Sequence, residues 1–281
     1  MNTIISDIDK VLNKISLGET QISEEFIEQF GEDIKQSLRD WSTPRESKDF
    51  SLRFSNIGKP LRKLWYEKRN PSDKPIEPSL NLKFLYGHML EHLVVLLVRL
   101  SGNTVSDQQK EVTVNGIKGH LDCKINNKVV DVKSASRFAF TKFQKGLISE
   151  DDPFGYIAQL SAYEHAESSE GGYFLVINKE SGELCVYEPE ELDKPDVPIL
   201  IDNVVSSLDS ESKPTKCFPT VAEGKKGNMK IDKNCNYCEF KKDCYQDSNN
   251  GKGLRAFQYS KGLTFLETVK SEPKVEEVYE W

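Results

Sequence analysis

The sequence lacks a long apolar run. Its longest, Leu93–Val98, is far too short for a bilayer, which a helix crosses with about 20 consecutive apolar residues. The N-terminal stretch MNTIISDIDK also lacks the basic-then-apolar order of a secretory signal peptide. We therefore expect a cytoplasmic protein with no membrane partner.

Basic residues are not in surplus either. Lys and Arg number 38 against 45 Asp and Glu, for a net charge of −7. The net charge therefore does not indicate nucleic-acid binding, although a local basic groove would be enough to bind a nucleic acid. Cysteines are few, at six, and in a reducing compartment we expect them to bind metal or be buried rather than form disulfides.

What the sequence does contain is a short stretch, residues 119–136, that predicts a β-hairpin. The expected turn is Asn126-Asn127, because Asn tolerates the positive φ of tight turns. With this two-residue loop, Cys123 lies opposite Val130 and the apolar faces of the two strands coincide, which supports the register.

The same register places two aspartates across from each other. Asp122 faces Asp131 at roughly 5 Å between Cβ atoms, and His120 faces Lys133. A divalent cation between the carboxylates would remove their repulsion, and oxygen ligands suit Mg²⁺ or Mn²⁺. Lys133 shares the face of Asp131, within reach of this site. The alternative is a structural hairpin with an acidic surface cluster.

A helix predicted over residues 82–100 is apolar almost all round and should be buried. Glu91 within it needs a partner, because an unpaired buried carboxylate is costly. We expect a supporting metal ligand or a water-orienting acid, with a salt-bridged structural role as the alternative. His88 and His92 are weaker candidates.

Two further stretches follow the lysine. The first is basic and aromatic, and it would either stack bases and meet phosphates or pack as a loop: Phe138, Phe140, Phe143, Arg137, Lys142 and Lys145. The second is a helix beginning at Asp151-Asp152-Pro153, on which Gln159 and Tyr163 share one face. A solvated polar pair is the alternative for these two side chains.

Four cysteines cluster near the C-terminus, at Cys217, Cys235, Cys238 and Cys244. The Cys-x2-Cys-x5-Cys spacing is typical of metal binding, and four thiolates suit zinc or an iron–sulfur cluster. Such a metal would contribute folding energy rather than chemistry. A cluster without metal is the alternative.

Taken together, these motifs resemble those of the PD-(D/E)xK nuclease superfamily, and their sequences are similar to those of RecB-like and tailed-bacteriophage exonucleases. The similarity rests on Glu91, Asp122, the triplet Asp131-Val132-Lys133, and the pair Gln159 and Tyr163. It implies an α/β, restriction-endonuclease-like core, a mixed central sheet flanked by helices. Residues 1–50 would form a helical cover, 51–210 the nuclease core, and 211–281 a Cys-rich metal-binding segment with a hairpin and tail.

The resemblance also implies roles for single residues. Asp122, Asp131, Glu91 and the backbone carbonyl of Val132 would bind Mg²⁺, and Lys133 would position water or neutralise the transition state. Gln159 and Tyr163 would hold DNA or the lysine.

RecB-like nucleases often carry a [4Fe–4S] cluster, which favours iron–sulfur over zinc here. Their fourth cysteine usually lies before the core, followed two residues later by Arg. The comparable place here reads Pro60-Leu61-Arg62, so Cys217 would supply the fourth thiolate.

The expected function is metal-dependent DNA exonuclease activity on linear duplex or single-stranded DNA, with phage recombination or replication proteins as partners. The rival is a non-catalytic nucleic-acid-binding or assembly protein on the same scaffold. A restriction-type endonuclease is a third alternative.

Overall fold

The computed structural model describes residues 3–43, 49–71 and 76–281. The chain divides into two compact units, which we call the first unit (Met1–Gly58 and Pro71–Val205) and the second unit (Lys59–Asn70 and Ser206–Trp281). The domain bounds drawn on the sequence, 1–50, 51–210 and 211–281, stay a prediction. The N-terminal helices belong to the first unit, and Lys59–Asn70 groups with the C-terminal residues.

Five helices precede the first five strands, and shorter runs of helices and strands follow. The helices are α1 (Ile4–Ser16), α2 (Glu24–Ser42), α3 (Phe54–Ile57), α4 (Leu61–Arg69), α5 (Pro78–Leu100), α6 (Arg137–Gln144), α7 (Tyr156–Glu167), α8 (Val197–Asp209), α9 (Lys241–Cys244) and α10 (Ser248–Gly251). The strands are β1 (Val105–Ser106), β2 (Lys110–Val114), β3 (Ile117–Leu121), β4 (Cys123–Ile125), β5 (Lys128–Ala135), β6 (Gly172–Asn178), β7 (Leu184–Tyr187), β8 (Val221–Glu223), β9 (Asn228–Lys230), β10 (Arg255–Tyr259), β11 (Gly262–Thr268) and β12 (Glu277–Val278).

The first unit contains a five-stranded sheet in the order β1-β4-β5-β6-β7. Strands β5 and β6 pair in parallel, with α6 and α7 between them in the chain, and the other neighbours pair antiparallel. This confirms the predicted α/β class with a mixed central sheet flanked by helices.

One face of this sheet packs against α1 and α5 in a single apolar cluster. Its buried members are Ile4, Ile8, Val94, Val95, Val98, Cys123, Ile125, Val130, Val132, Tyr173, Leu175 and Ile177. Each fully buried aliphatic side chain stabilises the fold by roughly 1.5–3 kcal/mol. Near the start of α5, however, Leu82, Phe84 and Tyr86 are exposed, so this helix is buried along only part of its length.

The prediction of the hairpin is correct for the pairing of β4 with β5 and wrong for the residues before Asp122. Strands β4 and β5 have the expected register, with Cys123 opposite Val130, and Asn126 and Asn127 both have positive φ. The first strand is nevertheless interrupted at Asp122. Strand β3 pairs with β2 instead, so His120 lies opposite Glu111 and not opposite Lys133.

Gly119 on β3 allows a close contact with Phe54. A Cβ atom on Gly119 would come within 2.5 Å of the Phe54 ring, so only glycine lets this ring pack against the strand. The ring of Phe54 also meets Tyr163 edge to face at 5.3 Å. The β2–β3 ribbon is therefore anchored through Phe54 to helix α7.

The second unit is built on an antiparallel sheet in the order β12-β10-β11-β9-β8. Its strands β10 and β11 form the hairpin that the sequence predicts near the C-terminus. Ala256 on β10 and Phe265 on β11 form a buried cluster with Ile231, Tyr245 and Leu254. Within the described parts of the chain, the helices are all too short or too polar to cross a membrane.

Candidate active site

The candidate site lies where β5 passes the break between β3 and β4. The side chain of Asp131 on β5 is 1% exposed. The backbone N–H of Val132 donates to Oδ2 of Asp122 at 2.8 Å. This bond holds Asp122 beside β5, next to the position of Asp131, although Asp122 belongs to neither β3 nor β4.

Lys133 connects these acids to helix α7. Its Nζ lies 2.6 Å from Oδ1 of Asp131 and 3.4 Å from Oε1 of Gln159. It also lies 5.1 Å from the ring centre of Tyr156. Burial alone would lower the pKa of Lys133, but the charges of Asp131 and Asp122 outweigh it and raise the pKa above its usual value. The ammonium group therefore stays charged at neutral pH.

Gln159 and Tyr163 extend this network towards β3. The Gln159 amide donates to the Tyr163 hydroxyl at 3.5 Å, and that hydroxyl donates to the backbone carbonyl of His120 at 2.6 Å. Burial raises the pKa of Tyr163, which keeps its hydroxyl protonated as a donor. Both side chains are buried, so they are not a solvated pair.

Glu91 approaches the same place from α5. Its Oε1 accepts a hydrogen bond from Nε2 of Gln109 at 2.7 Å. Burial, with a smaller contribution from the charge of Asp131, raises the pKa of Glu91 to about 7. Burial and the charges of Asp131 and Glu91 likewise raise the pKa of Asp122 well above its usual value. Three acids thus share one region, and the charge of Asp131 disfavours the ionised forms of Glu91 and Asp122.

A divalent cation suits this set of donors. One carboxylate oxygen of Asp131, Oδ2, is buried and has no hydrogen-bond partner among the described residues. Hard cations such as Mg²⁺ and Mn²⁺ prefer carboxylate and carbonyl oxygens. A bound cation would satisfy this oxygen and offset the repulsion between the acids.

The side chains are not, however, arranged as a finished metal site. Across residues 3–43, 49–71 and 76–281, no three or more His, Cys, Asp or Glu side chains are placed to hold a metal ion. In this arrangement each acid has an oxygen engaged elsewhere: Asp122 by Val132, Asp131 by Lys133 and Glu91 by Gln109. Metal ligation by these acids and by the Val132 carbonyl remains a prediction.

The two histidines of α5 have different surroundings. His88 is exposed, and Nε2 of His92 lies 2.8 Å from the Ser37 hydroxyl on α2. His92 therefore joins α5 to α2.

The basic and aromatic stretch is a helix, α6, rather than a loop. Phe140 and Phe143 are buried in the fold, as in the alternative in which these side chains pack, and are not open to bases. Phe138 is 70% exposed, and the centre of its ring lies 5.4 Å from the Lys142 ammonium. Sequence reasoning also missed Tyr156, which follows Phe154-Gly155 and contacts Lys133.

The four clustered cysteines lie in the second unit, with Cys217 exposed and the others half-buried. Burial, with smaller contributions from the nearby Cys238 and Cys217, raises the pKa of Cys235 to about 11. Arg62 donates to the backbone carbonyls of Pro214 and Cys244. The described side chains do not form a metal-holding group here either, so the metal and its identity remain predictions.

Comparisons with known proteins give loose similarities. No protein-family model and no curated protein matches the chain. An alkaline exonuclease from Laribacter hongkongensis is 12% identical, with 57% of this chain and 88% of that chain covered and a TM-score of 0.41. A phage-related exonuclease from Haemophilus somnus 129PT is 11% identical, with 57% and 91% covered and a TM-score of 0.37.

A third solved structure, SSO0001, is 21% identical, with 64% of this chain and 86% of that chain covered and a TM-score of 0.35. Scores below 0.5 denote loose similarity only. The case for a function is therefore made by the site itself.

Proposed function

We propose that this chain is a divalent-cation-dependent deoxyribonuclease that acts as an exonuclease. The observation that carries the proposal is the cluster of Asp131, Lys133 and Gln159 beside Asp122 and Glu91. It combines a charged lysine with a buried carboxylate oxygen that has no partner among the described residues. This combination suits hydrolysis of an anionic phosphodiester.

Lys133 supplies the fixed positive charge. Its ammonium has three donors, of which one meets Asp131 and one points to Gln159. A remaining donor can bind a phosphate oxygen or orient the attacking water. A charge held in place before the reaction stabilises the negative charge that develops on the phosphate, without reorganisation of solvent.

Gln159 and Tyr163 fix the position of that lysine. Tyr163 is tied to the His120 carbonyl and receives the Gln159 amide, which leaves the Gln159 oxygen directed at Lys133. Mg²⁺ or Mn²⁺ held by Asp122, Asp131, Glu91 and the Val132 carbonyl would make a bound water more acidic and offset charge on the scissile phosphate. DNA is the proposed partner, in the cytoplasm, alongside phage recombination or replication proteins.

A non-catalytic nucleic-acid-binding protein is the second candidate. It is favoured by one observation, that Asp122, Asp131 and Glu91 each bind a donor of the protein itself. Incubation with linear DNA and Mg²⁺ separates the two proposals, because only the nuclease releases mononucleotides. Closed circular DNA separates an exonuclease from an endonuclease, because it offers no end.

The decisive test uses end-labelled linear DNA with Mg²⁺, Mn²⁺ or EDTA. We expect Asp131→Asn and Lys133→Met to lower cleavage by at least about 100-fold and EDTA to abolish it. Lys128→Met is the matched control, since Lys128 is also on β5 and forms an ion pair, with Glu188 at 3.2 Å. Full activity in folded Asp131→Asn and Lys133→Met would overturn the proposal.

For Cys217, Cys235, Cys238 and Cys244 we propose a structural metal, with [4Fe–4S] preferred over zinc. Thiolates suit both. Broad visible absorption of anaerobically purified protein would support the cluster, and stoichiometric zinc without colour would support zinc. Protein without either metal would contradict the proposal.

A further inference from the structure

A series of aromatic rings leads from the core of the first unit to its surface. Phe143 lies 5.4 Å from Phe174 and 5.9 Å from Tyr156 between ring centres. Phe154 stacks on Tyr156 at 5.4 Å with an interplanar angle of 24°. The inner rings are buried or half-buried, whereas Phe154 is 58% exposed. The series therefore ends in a ring that is supported from behind and open to solvent.

This exposed ring is one ring away from the proposed catalytic lysine. Tyr156 contacts Phe154 with its ring, and the Lys133 ammonium lies 5.1 Å from the centre of that same ring. A nucleotide whose phosphate met Lys133 would have its own base, or the neighbouring one, within reach of Phe154.

The charges near Phe154 are compatible with an anionic strand. Asp151 is paired with Lys142, whose Nζ is 2.6 Å from Oδ2 of Asp151. Oδ2 of Asp152 accepts the N–H of Ile157 at the start of α7. Arg137 is exposed at the start of α6, the helix that carries Lys142. The two acids before Phe154 are therefore partly offset, and basic groups lie on the neighbouring helix.

We propose that Phe154, backed by Tyr156, is a stacking surface for an unpaired nucleobase beside the scissile phosphate. The inference rests on the proposed nuclease function and adds a substrate preference, for single-stranded DNA ends over paired ones. In a duplex both faces of an interior base are already stacked and a terminal base is held by its pairing partner, so an unpaired base is the one most free to turn onto Phe154. Stacking on an aromatic ring tolerates any base, because every base has a π-face.

The first test measures binding without cleavage. Single-stranded oligonucleotides with 2-aminopurine at one end or the other are titrated in EDTA into protein that carries Asp131→Asn, which removes one of the repelling acids. We expect Phe154→Ala to weaken binding by roughly 5- to 150-fold, the range that corresponds to about 1–3 kcal/mol per stacked base. Quenching of the labelled base on binding should disappear as well.

Two further variants control for shape and exposure. Phe154→Trp should keep the affinity and the quenching, because a larger ring can still stack. Phe138→Ala should bind within about twofold of the parent, since Phe138 is also an exposed Phe but lies on α6 and contacts Lys142. Unchanged binding in Phe154→Ala, or equal losses in Phe138→Ala and Phe154→Ala, would overturn the inference.

The second test uses cleavage by the otherwise unchanged chain. Phe154→Ala should raise KM for single-stranded DNA while leaving kcat within about twofold, and should affect blunt duplex less. The two proposals can fail separately. If the chain does not cleave DNA but Phe154→Ala still loses binding, the nuclease proposal fails and the stacking surface stands. If cleavage is normal and Phe154→Ala changes neither binding nor KM, the nuclease proposal stands and the stacking surface fails.

Discussion

Removal of one acid from the candidate site should make the metal-free protein more stable. Asp122 is held against Asp131 and Glu91, and its pKa is raised by burial and by both of these charges. In Asp122→Asn the amide oxygen can still accept the Val132 N–H, which now binds Oδ2 at 2.8 Å. The new NH₂ group can donate to Asp131. A repulsion is thereby replaced by a hydrogen bond of similar shape.

The size of the effect follows from Coulomb's law. Two ionised carboxylates about 4 Å apart repel by about 4 kcal/mol at an effective dielectric constant of about 20, and protonation of Asp122, whose pKa is raised, relieves part of this energy. Lys133, bonded to Asp131, offsets part of this repulsion, so we expect Asp122→Asn to raise the free energy of unfolding by about 2 kcal/mol. For a domain of this size that corresponds to an increase in Tm of about 4–8 °C.

The assay is thermal melting in EDTA and again in excess Mg²⁺. The wild-type chain should gain stability with Mg²⁺, because a ligand that binds only the folded state raises its stability. Asp122→Asn should melt higher in EDTA, gain less from Mg²⁺ and lose cleavage. A lower Tm in EDTA, or an undiminished gain from Mg²⁺, would refute the proposed metal site.

Three other predictions concern supporting contacts. Tyr163→Phe should lower the free energy of unfolding by about 1–3 kcal/mol, measured in urea, because the part-buried carbonyl of His120 loses its 2.6 Å donor. Gly155→Ala should lower stability by at least about 2 kcal/mol, since its φ is +72° and a Cβ would come within 2.2 Å of backbone atoms. Arg255 lowers the pKa of Glu277 below its usual 4.5. The stability from this pair is therefore present above that pH and is lost as the pH falls through the lowered pKa. Glu277→Gln should remove this loss of stability at acidic pH, which amounts to less than about 1 kcal/mol. Thermal melting of the second unit at neutral and at acidic pH measures it.

Each of these has its own control. Alanine at Gly182, which also has positive φ but has no atom within 4 Å of a built Cβ, isolates backbone strain from steric overlap at Gly155. Glu183→Gln leaves the second unit untouched and should not change its acid profile. Normal urea stability in Tyr163→Phe would show that the His120 carbonyl finds another donor.

Several features of the site could be read from local pattern. The alternation along β5 separates Val130 and Val132, which pack against α5, from Asp131 on the opposite face. The Asn126-Asn127 turn sets the register of β4 against β5, because a two-residue loop leaves one pairing that keeps the apolar faces together.

Other features depended on packing that no local pattern contains. The break in the strand at Asp122 and the close contact between Gly119 and Phe54, residues far apart in the chain, are both of this kind. The burial of Phe140 and Phe143 follows from α6 packing against the sheet, whereas the sequence alone allowed them to be exposed.

The sequence by itself therefore determined which strand carries Asp131 and Lys133 and how that strand pairs with its neighbour, because β-strand side chains alternate with a period of two. Only the tertiary structure decided that Gln109 would meet Glu91, that Gln159 would reach Lys133, and that Phe154 would be left open on Tyr156. Contacts of this kind join elements that are distant in sequence, so they are set by the way helices and sheet pack together.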